Sequence, residues 1–372
     1  MYSSVKIPPI VSERNFDELL FQIEKASSFD DIFICDDSPI YVKSNGRLYV
    51  AGERNVGESE VRFITNHIYG GDNGRSEIVR GNEHDDSYEI VQGDLLKRYR
   101  YRVNIVSNRG QGNAPLVRIT LRSIRTDSLT FEELNIEPEI VDAFCPKQGL
   151  VLVVGGTGSG KSTLLSAGIR SILEDVNSHS VICEYSAPVE TTYHTVKKRS
   201  SIIYQHEIGK DVKSFSQGVK NSLRSNPDVI LIGEMRDTET IEAGLTASLT
   251  GHLVYSTLHA NSPAEAISRM VMAFNEKERK SRAADLIAAL RLVVSQRLLL
   301  DVSGNRVAAR GYIVMDEAIR TELLSSDLEN LFPTFNRIIE EKGKTMTHSV
   351  TELYEKNVIS EADYLTIKAG EI

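Results

Sequence analysis

Eight consecutive residues near the middle of the chain, Gly155-Gly156-Thr157-Gly158-Ser159-Gly160-Lys161-Ser162, have types and spacing suited to phosphate chemistry. They fit G-x4-G-K-[ST]. The glycines let backbone N–H groups turn inward around phosphate oxygens, and a following helix adds the positive end of its dipole. Lys161 is spaced to reach the β- and γ-phosphates, and the Ser162 hydroxyl to ligate magnesium, so ATP and Mg2+ are the expected ligands. Thr163 completes the nucleotide-binding stretch. A glycine turn with a solvated lysine is the bland alternative. The apolar strand before the loop and the helical pattern after it speak against that.

Three other places could carry chemistry. The apolar run DVILIG ends at Glu234, and in α/β sheets ligands sit beyond the carboxyl ends of strands. A carboxylate there can hold magnesium through water or orient the attacking water. The segment SVICEYSAPVE places Glu184 and Glu190 after another strand, with Pro188 fixing the backbone just before Glu190. Glu190 is either a base that polarises water for in-line attack or a solvated loop residue; its chemistry alone does not choose. The run HLVYSTL leads to His259, with His252 at its start. A histidine can donate to a γ-phosphate and sense its presence, although a lone histidine is more often structural.

Elements to position these groups are legible in the hydrophobic pattern. Residues 1–125 form a small α+β unit. Phe16, Leu19, Leu20 and Ile23 recur at helical spacing. DDIFIC reads as a strand and PIYVKSNGRLYV as a hairpin turning at Asn45-Gly46. Glu58 to Tyr69 is helical, RYRYRVNIV alternates as a half-buried strand does, and NRGQGNAP is a glycine-rich turn. LVRITLRSI is a strand with Arg118 and Arg122 on one face. A connector with a short helix, TFEELNI, leads into the second unit, 126–372. Its strands LVLVV, SVICE, DVILIG and HLVYSTL are apolar enough for a parallel sheet buried on both faces. Residues 264–300 are helical in pattern, and from about 314 the chain forms a helical appendage.

Composition narrows the class. The chain has 372 residues and a formal net charge of −9. That acidity, and the lack of a strand face combining aromatic and basic residues, argue against direct binding of nucleic acid. No apolar run approaches the ~20 residues of a spanning helix. No apolar signal core is visible, so a cytoplasmic location is expected. Cys35, Cys145 and Cys183 have no metal-ligand spacing and read as small apolar fillers.

GGTGSGKST, ICEYSAPVE, LRSNPDVILIGEMRD and TGHLVYSTLHANS, in this order, resemble the Walker A, Asp box, Walker B and His box of the secretion ATPases. That family includes the type II and type IV secretion ATPases and the PilT-type retraction motors. The likeness continues through RYRVNIVSNRG, SQRLL and RVAARGYIV. It is greatest to the DotB/TraJ type of type IVB secretion and conjugation, because EYSAPVE is longer than the retraction motors' EDPIE. No role carries over to an aspartate in that box. The resemblance implies an α/β fold: a RecA-like P-loop ATPase domain preceded by a smaller α+β, PAS-like domain. It implies a homohexamer recruited peripherally to a secretion or conjugation complex at the inner membrane. Glu190 would be the base, Glu234 and His259 would take the Walker B and His box roles, and Glu234 would join Ser162 at magnesium. Arg102 and Arg118, with Arg122 a weaker match, would approach the phosphates from the first domain. A retraction motor, a RecA-like nucleic-acid translocase and a slow nucleotide-gated scaffold are the alternatives.

Overall fold

A computed structural model describes residues 6–26, 29–44, 47–92, 97–110, 114–124 and 127–369. The tip of the expected Asn45-Gly46 hairpin and the centre of the NRGQGNAP turn lie outside these residues. The chain divides into two compact units, Met1–Thr126 and Asp127–Ile372.

The first unit contains α1 (Glu13–Ala26), β1 (Asp31–Cys35), β2 (Ser38–Ser44), β3 (Arg47–Val56), α2 (Glu58–Tyr69), α3 (Gly74–Val79), β4 (His84–Gln92), β5 (Lys97–Arg109) and β6 (Pro115–Ile124). Its six strands form an antiparallel sheet in the order β3-β2-β1-β6-β5-β4. Alternation decides which face is covered. Tyr101, Val103 and Ile105 of β5 and Val117, Ile119 and Leu121 of β6 are buried against Phe16, Leu19 and Leu20 of α1 and Val61 and Ile64 of α2. The other face carries the intervening arginines. Arg102 lies directly across from Arg122, and Arg118 lies four residues back along β6. Glu60 secures the entry to α2, accepting from Gly57 N–H (2.8 Å), Val11 N–H (2.5 Å) and Arg54 Nη2 (2.7 Å).

The second unit follows with α4 (Pro138–Phe144), β7 (Gly149–Val154), α5 (Lys161–Glu174), β8 (Val181–Ser186), β9 (Ile202–Glu207), α6 (Phe215–Ser222), β10 (Val229–Ile232), α7 (Thr238–Leu249), β11 (Leu253–Leu258), α8 (Pro263–Met272) and α9 (Arg279–Ala289). It ends with β12 (Leu290–Leu300), β13 (Arg306–Val314), α10 (Glu317–Leu324), α11 (Leu328–Lys342), α12 (Met346–Glu355) and α13 (Glu361–Lys368). Seven strands run in the order β13-β12-β7-β11-β10-β8-β9, parallel except for β13. The central order β12-β7-β11-β10-β8 is that of a RecA-like sheet. Helices cover both faces, so the central strands β7, β11 and β10 have no solvent side. In β7, Leu150, Leu152 and Val154 enter one core while Val151 and Val153 enter the other. That explains the unbroken apolar run before the glycine loop.

Several expectations are corrected. TFEELNI is a single hydrogen-bonded turn, closed by a Thr130–Glu133 box and stopped by Asn135 at φ 47°; the helix is α4, which opens on Pro138. Residues 290–300 are not helical. Leu, Arg and Gln favour helix locally, but β12 is claimed on one side by β7 and on the other by β13 over nine residue pairs. Glu184 does not follow its strand; it sits inside β8 and is buried. Strand β9 stands where no strand was expected. The residues after 314 are only partly an appendage. Ile319 and Leu323 of α10 and Leu331, Phe335 and Ile338 of α11 join the main core, whereas α12 and α13 pack in a separate cluster on β13. Of the cysteines, Cys183 is buried, Cys35 is half-buried beside Asn108, and Cys145 is exposed, so the filler reading holds for Cys183 alone.

Candidate functional site

The glycine loop spans the end of β7 and the start of α5. Gly155, Gly158 and Gly160 take φ values of 154°, 75° and 84°, which side chains beyond glycine rarely adopt. A Cβ at Gly155 would come within 2.4 Å of the Gln296 carbonyl. Gly156, Thr157, Gly158 and Ser162 are exposed, while Ser159 and Lys161 are buried. The Ser159 hydroxyl is buried with no hydrogen-bond partner, a polar group left over inside a turn of backbone amides. These features fit a polyanionic ligand held mainly by backbone.

The Lys161 ammonium donates to the carbonyls of Gly155 (2.9 Å) and Gly156 (2.8 Å). Burial pushes its pKa below the ordinary lysine value, and the nearby carboxylates of Glu234 and Glu190 oppose that shift by favouring the charged form. Three residues far apart in the chain therefore meet electrostatically at the C-terminal ends of β7, β8 and β10.

Glu234 is held by its backbone neighbours. Gly233 N–H donates to Tyr185 O (2.8 Å), and Met235 N–H donates to Thr257 O (3.0 Å). The Thr257 hydroxyl donates to Gly233 O at 2.6 Å. Strands β8 and β11 thus fix the turn after β10 from both sides. The imidazole Nε2 of His259, just past β11, is 3.7 Å from Glu234 Oε1. Glu190 is exposed, and the residues flanking it are clamped. Gln205 Nε2 donates to both Thr191 O (2.7 Å) and Glu184 Oε2 (2.8 Å), and Val189 N–H donates to Glu207 Oε2 (3.4 Å). Buried Glu184 also accepts from the Ser186 hydroxyl (2.8 Å). Glu184 therefore braces the Glu190 segment instead of facing the loop.

The expected arginines all belong to the first unit. Arg102 is paired with Asp85 (2.7 Å), and Arg122 with the buried Asp31 (2.8 Å). Arg118 is exposed; burial raises the pKa of the neighbouring Cys35 thiol, and the Arg118 charge opposes that rise only weakly. Sequence reasoning assigned no role to Gln296, Arg310, Gln205 or Thr257. The only signal for the first two was that SQRLL and RVAARGYIV belonged to the family likeness. Among the described residues no group of three or more His, Cys, Asp or Glu could hold a metal. No helix among them is long and apolar enough to cross a membrane.

The chain is similar to known proteins along most of its length. Residues 96–333 match the family described as Type II/IV secretion system protein. PilT of Pseudomonas aeruginosa, a type IV pilus retraction ATPase, is 37% identical over 261 residues, covering 69% of this chain and 73% of PilT. The structure of the ATPase DotB of Legionella pneumophila superposes with a TM-score of 0.89 at 35% identity, covering 98% of both chains. That of the pilus retraction motor PilT with bound ADP gives 0.79 at 29% identity, covering 94% of this chain and 95% of that one. With its glycine loop on a parallel sheet, matched over residues 96–333, the chain is a member of the type II/IV secretion system protein family and an ATPase.

Proposed function

We propose that the protein hydrolyses ATP at the Gly155–Thr163 loop and converts the cycle into work on a type IV secretion apparatus of the IVB or conjugation kind. The observation that carries the chemistry is the meeting of Lys161, Glu190 and Glu234 beyond the C-terminal ends of β7, β8 and β10 in one parallel sheet. Lys161 leaves its two carbonyl partners for the β- and γ-phosphates. Glu190 takes a proton from the attacking water, and Glu234 orients that water. His259, beside Glu234, reads the presence of the γ-phosphate. Magnesium, when bound, neutralises phosphate charge. Ser162 and Glu234 would hold it.

In this reading the subunits form a homohexamer, cytoplasmic and recruited to the inner-membrane complex. Arg102 and Arg118, assisted by Arg122, supply positive charge to the transition state on closure. The support for a IVB-type role is the likeness to DotB along 98% of both chains. The likeness to PilT favours a second reading, a pilus retraction motor with the same ATP chemistry.

Lys161→Ala tests the site. Hydrolysis should vanish and nucleotide binding weaken while the fold survives, because the ammonium contacts loop carbonyls and no core side chain. Complementing a deletion strain, scored for substrate transfer and separately for pilus retraction, distinguishes the two roles. Near wild-type hydrolysis by Lys161→Ala would remove this loop from the chemistry.

A further inference from the structure

Strand β12 outruns the strand that carries the glycine loop. Its pairing with β7 ends at Ser295 opposite Val154, so Gln296 is the first residue to lie alongside the loop itself. The loop is packed against it. A Cβ at Gly160 would sit 2.7 Å from Gln296 Nε2, and one at Gly155 would sit 2.4 Å from the Gln296 carbonyl. The Gln296 side chain is buried and makes two hydrogen bonds. Nε2 donates to Ser159 O (2.8 Å), and Oε1 accepts from Arg310 Nε (2.8 Å).

The direction of the amide is forced. Arg310 can only donate and the Ser159 carbonyl can only accept, so a flipped amide would lose both bonds. Arg310 is itself immobilised, being 4% exposed. Nη1 donates to Glu137 Oε2 (3.0 Å) and Asn135 O (3.1 Å), and Nη2 donates to Leu134 O (3.0 Å). The rigid guanidinium fork thus ties the loop, through one amide, to the Leu134–Glu137 turn at the entry to the second unit. Across a trans peptide the C=O and N–H point in opposite directions. Anchoring Ser159 O on the Gln296 side therefore directs Gly160 N–H to the other side of the loop, where phosphate oxygens would sit.

We propose that Gln296 is a positioning residue for nucleotide binding, holding the Ser159–Gly160 peptide in its phosphate-binding orientation, with Arg310 and the Leu134–Glu137 turn fixing Gln296 in turn. Gln296 touches no substrate and acts through the loop. The inference rests on the loop being the nucleotide's phosphate site.

Gln296→Glu separates positioning from stability. The carboxylate keeps an acceptor for Arg310, and strengthens that pair by adding charge, but has no N–H for Ser159 O. The melting temperature of the full chain should fall no more than that of Gln296→Ala, which loses both bonds, and affinities are measured where circular dichroism shows each variant folded. ADP affinity, measured by calorimetry, should fall about tenfold, the effect of one hydrogen bond, and KM for ATP should rise by a similar factor. Gln296→Ala, which removes both bonds, should weaken ADP at least as much at a temperature where circular dichroism shows it folded. Arg310→Lys keeps the charge but cannot hold the amide and three other oxygens together, so it should weaken ADP in the same direction. Wild-type ADP affinity in either folded Gln296 variant overturns the role. Lys161→Ala run alongside tells the two failures apart. If it loses ADP while the Gln296 variants do not, only the positioning inference fails; if it too binds normally, the loop is not the nucleotide site.

Discussion

Replacing each of the two carboxylates near Lys161 by its amide tests how the site divides its labour. Glu190→Gln and Glu234→Gln keep side-chain size and remove one negative charge each. If Glu190 takes the proton from water, its amide should bind Mg-ATP about as well as wild type yet turn over roughly 10²–10⁴-fold more slowly, about 2.7–5.4 kcal/mol of barrier. The structure adds a second signature. Burial lowers the pKa of Lys161, and Glu234 followed by Glu190 counters the fall. Removing either charge therefore leaves the ammonium easier to deprotonate. The alkaline limb of kcat/KM, which reports the free enzyme, should move to lower pH in both variants, and further in Glu234→Gln. Steady-state hydrolysis from neutral pH upward, with magnesium titrated at each point, measures all of this. Glu234→Gln should also change the magnesium dependence, whereas Glu190→Gln should not. Normal turnover in Glu190→Gln with none in Glu234→Gln would move the base to Glu234. Unshifted alkaline limbs in both variants would refute the electrostatic account of Lys161.

Other perturbations probe the two units separately. Arg102→Ala and Arg118→Ala should each cut hydrolysis strongly, within the roughly 10³–10⁵ range of finger arginines, with a much smaller loss of affinity. Mixing either variant with Lys161→Ala should partly restore activity if the arginine serves a neighbouring subunit; wild-type rates in both single variants would remove these arginines from the mechanism. In Glu60, burial pushes the carboxyl pKa up, but the hydrogen bonds from Arg54, Val11 and Gly57 outweigh it and hold the group below its usual range. Its stabilisation is thus complete above the unfolded carboxyl range and lost as pH falls through the folded pKa. Glu60→Gln should cost about 1.5–3 kcal/mol in denaturant melts at pH 7, with the gap to wild type closing on acidification; a constant gap would refute the charge argument. In Gly168→Ala the new Cβ would lie 2.1 Å from Phe144 Cε1, a ring already stacked on Tyr255 and edge-on to Phe131. About 1–3 kcal/mol of overpacking should exceed the roughly 1 kcal/mol gain in helix propensity, lowering the melting temperature; a rise would show that the ring can move aside.

What was legible in the sequence follows a physical divide. The glycine loop, the apolar run of β7 and the carboxylate after β10 are local signals: a motif, a period and a strand end. They survive in any window that contains them. Arg118 and Arg122 shared a face because a strand repeats every two residues, and they do so in β6. Strand β12 was not legible, since its conformation is imposed by pairing with Leu150–Val154, some 140 residues earlier. Gln296 was hidden for the same reason. An amide on a strand says nothing until Ser159 and Arg310 are placed on either side of it. Glu184 and Glu190 were both read as acids after one strand, with Glu190 the candidate base. The Gln205 side chain from β9 shows that Glu184 is instead a buried brace, while Glu190 is exposed.

The pairing of β7 also has a consequence for how the chain is made. In the first unit, neighbouring strands of the sheet are mostly close in sequence. The strand that carries the glycine loop has no such neighbour. Its partners are Leu253–Leu258 and Leu290–Ser295, so about 100 residues must leave the ribosome after Val154 before even one edge can be closed. At roughly 5–20 residues per second that is a delay of about 5–20 s. During it a five-residue apolar segment with strong strand preference has both edges free. Nascent chains arrested near residue 240 should therefore aggregate or recruit chaperones, and chains arrested well past residue 314 should not. Equal solubility at the two lengths would show that another segment shields β7 in the interim. The arrangement that sets Lys161 among residues from distant parts of the chain is thus also the one that leaves its strand unprotected longest.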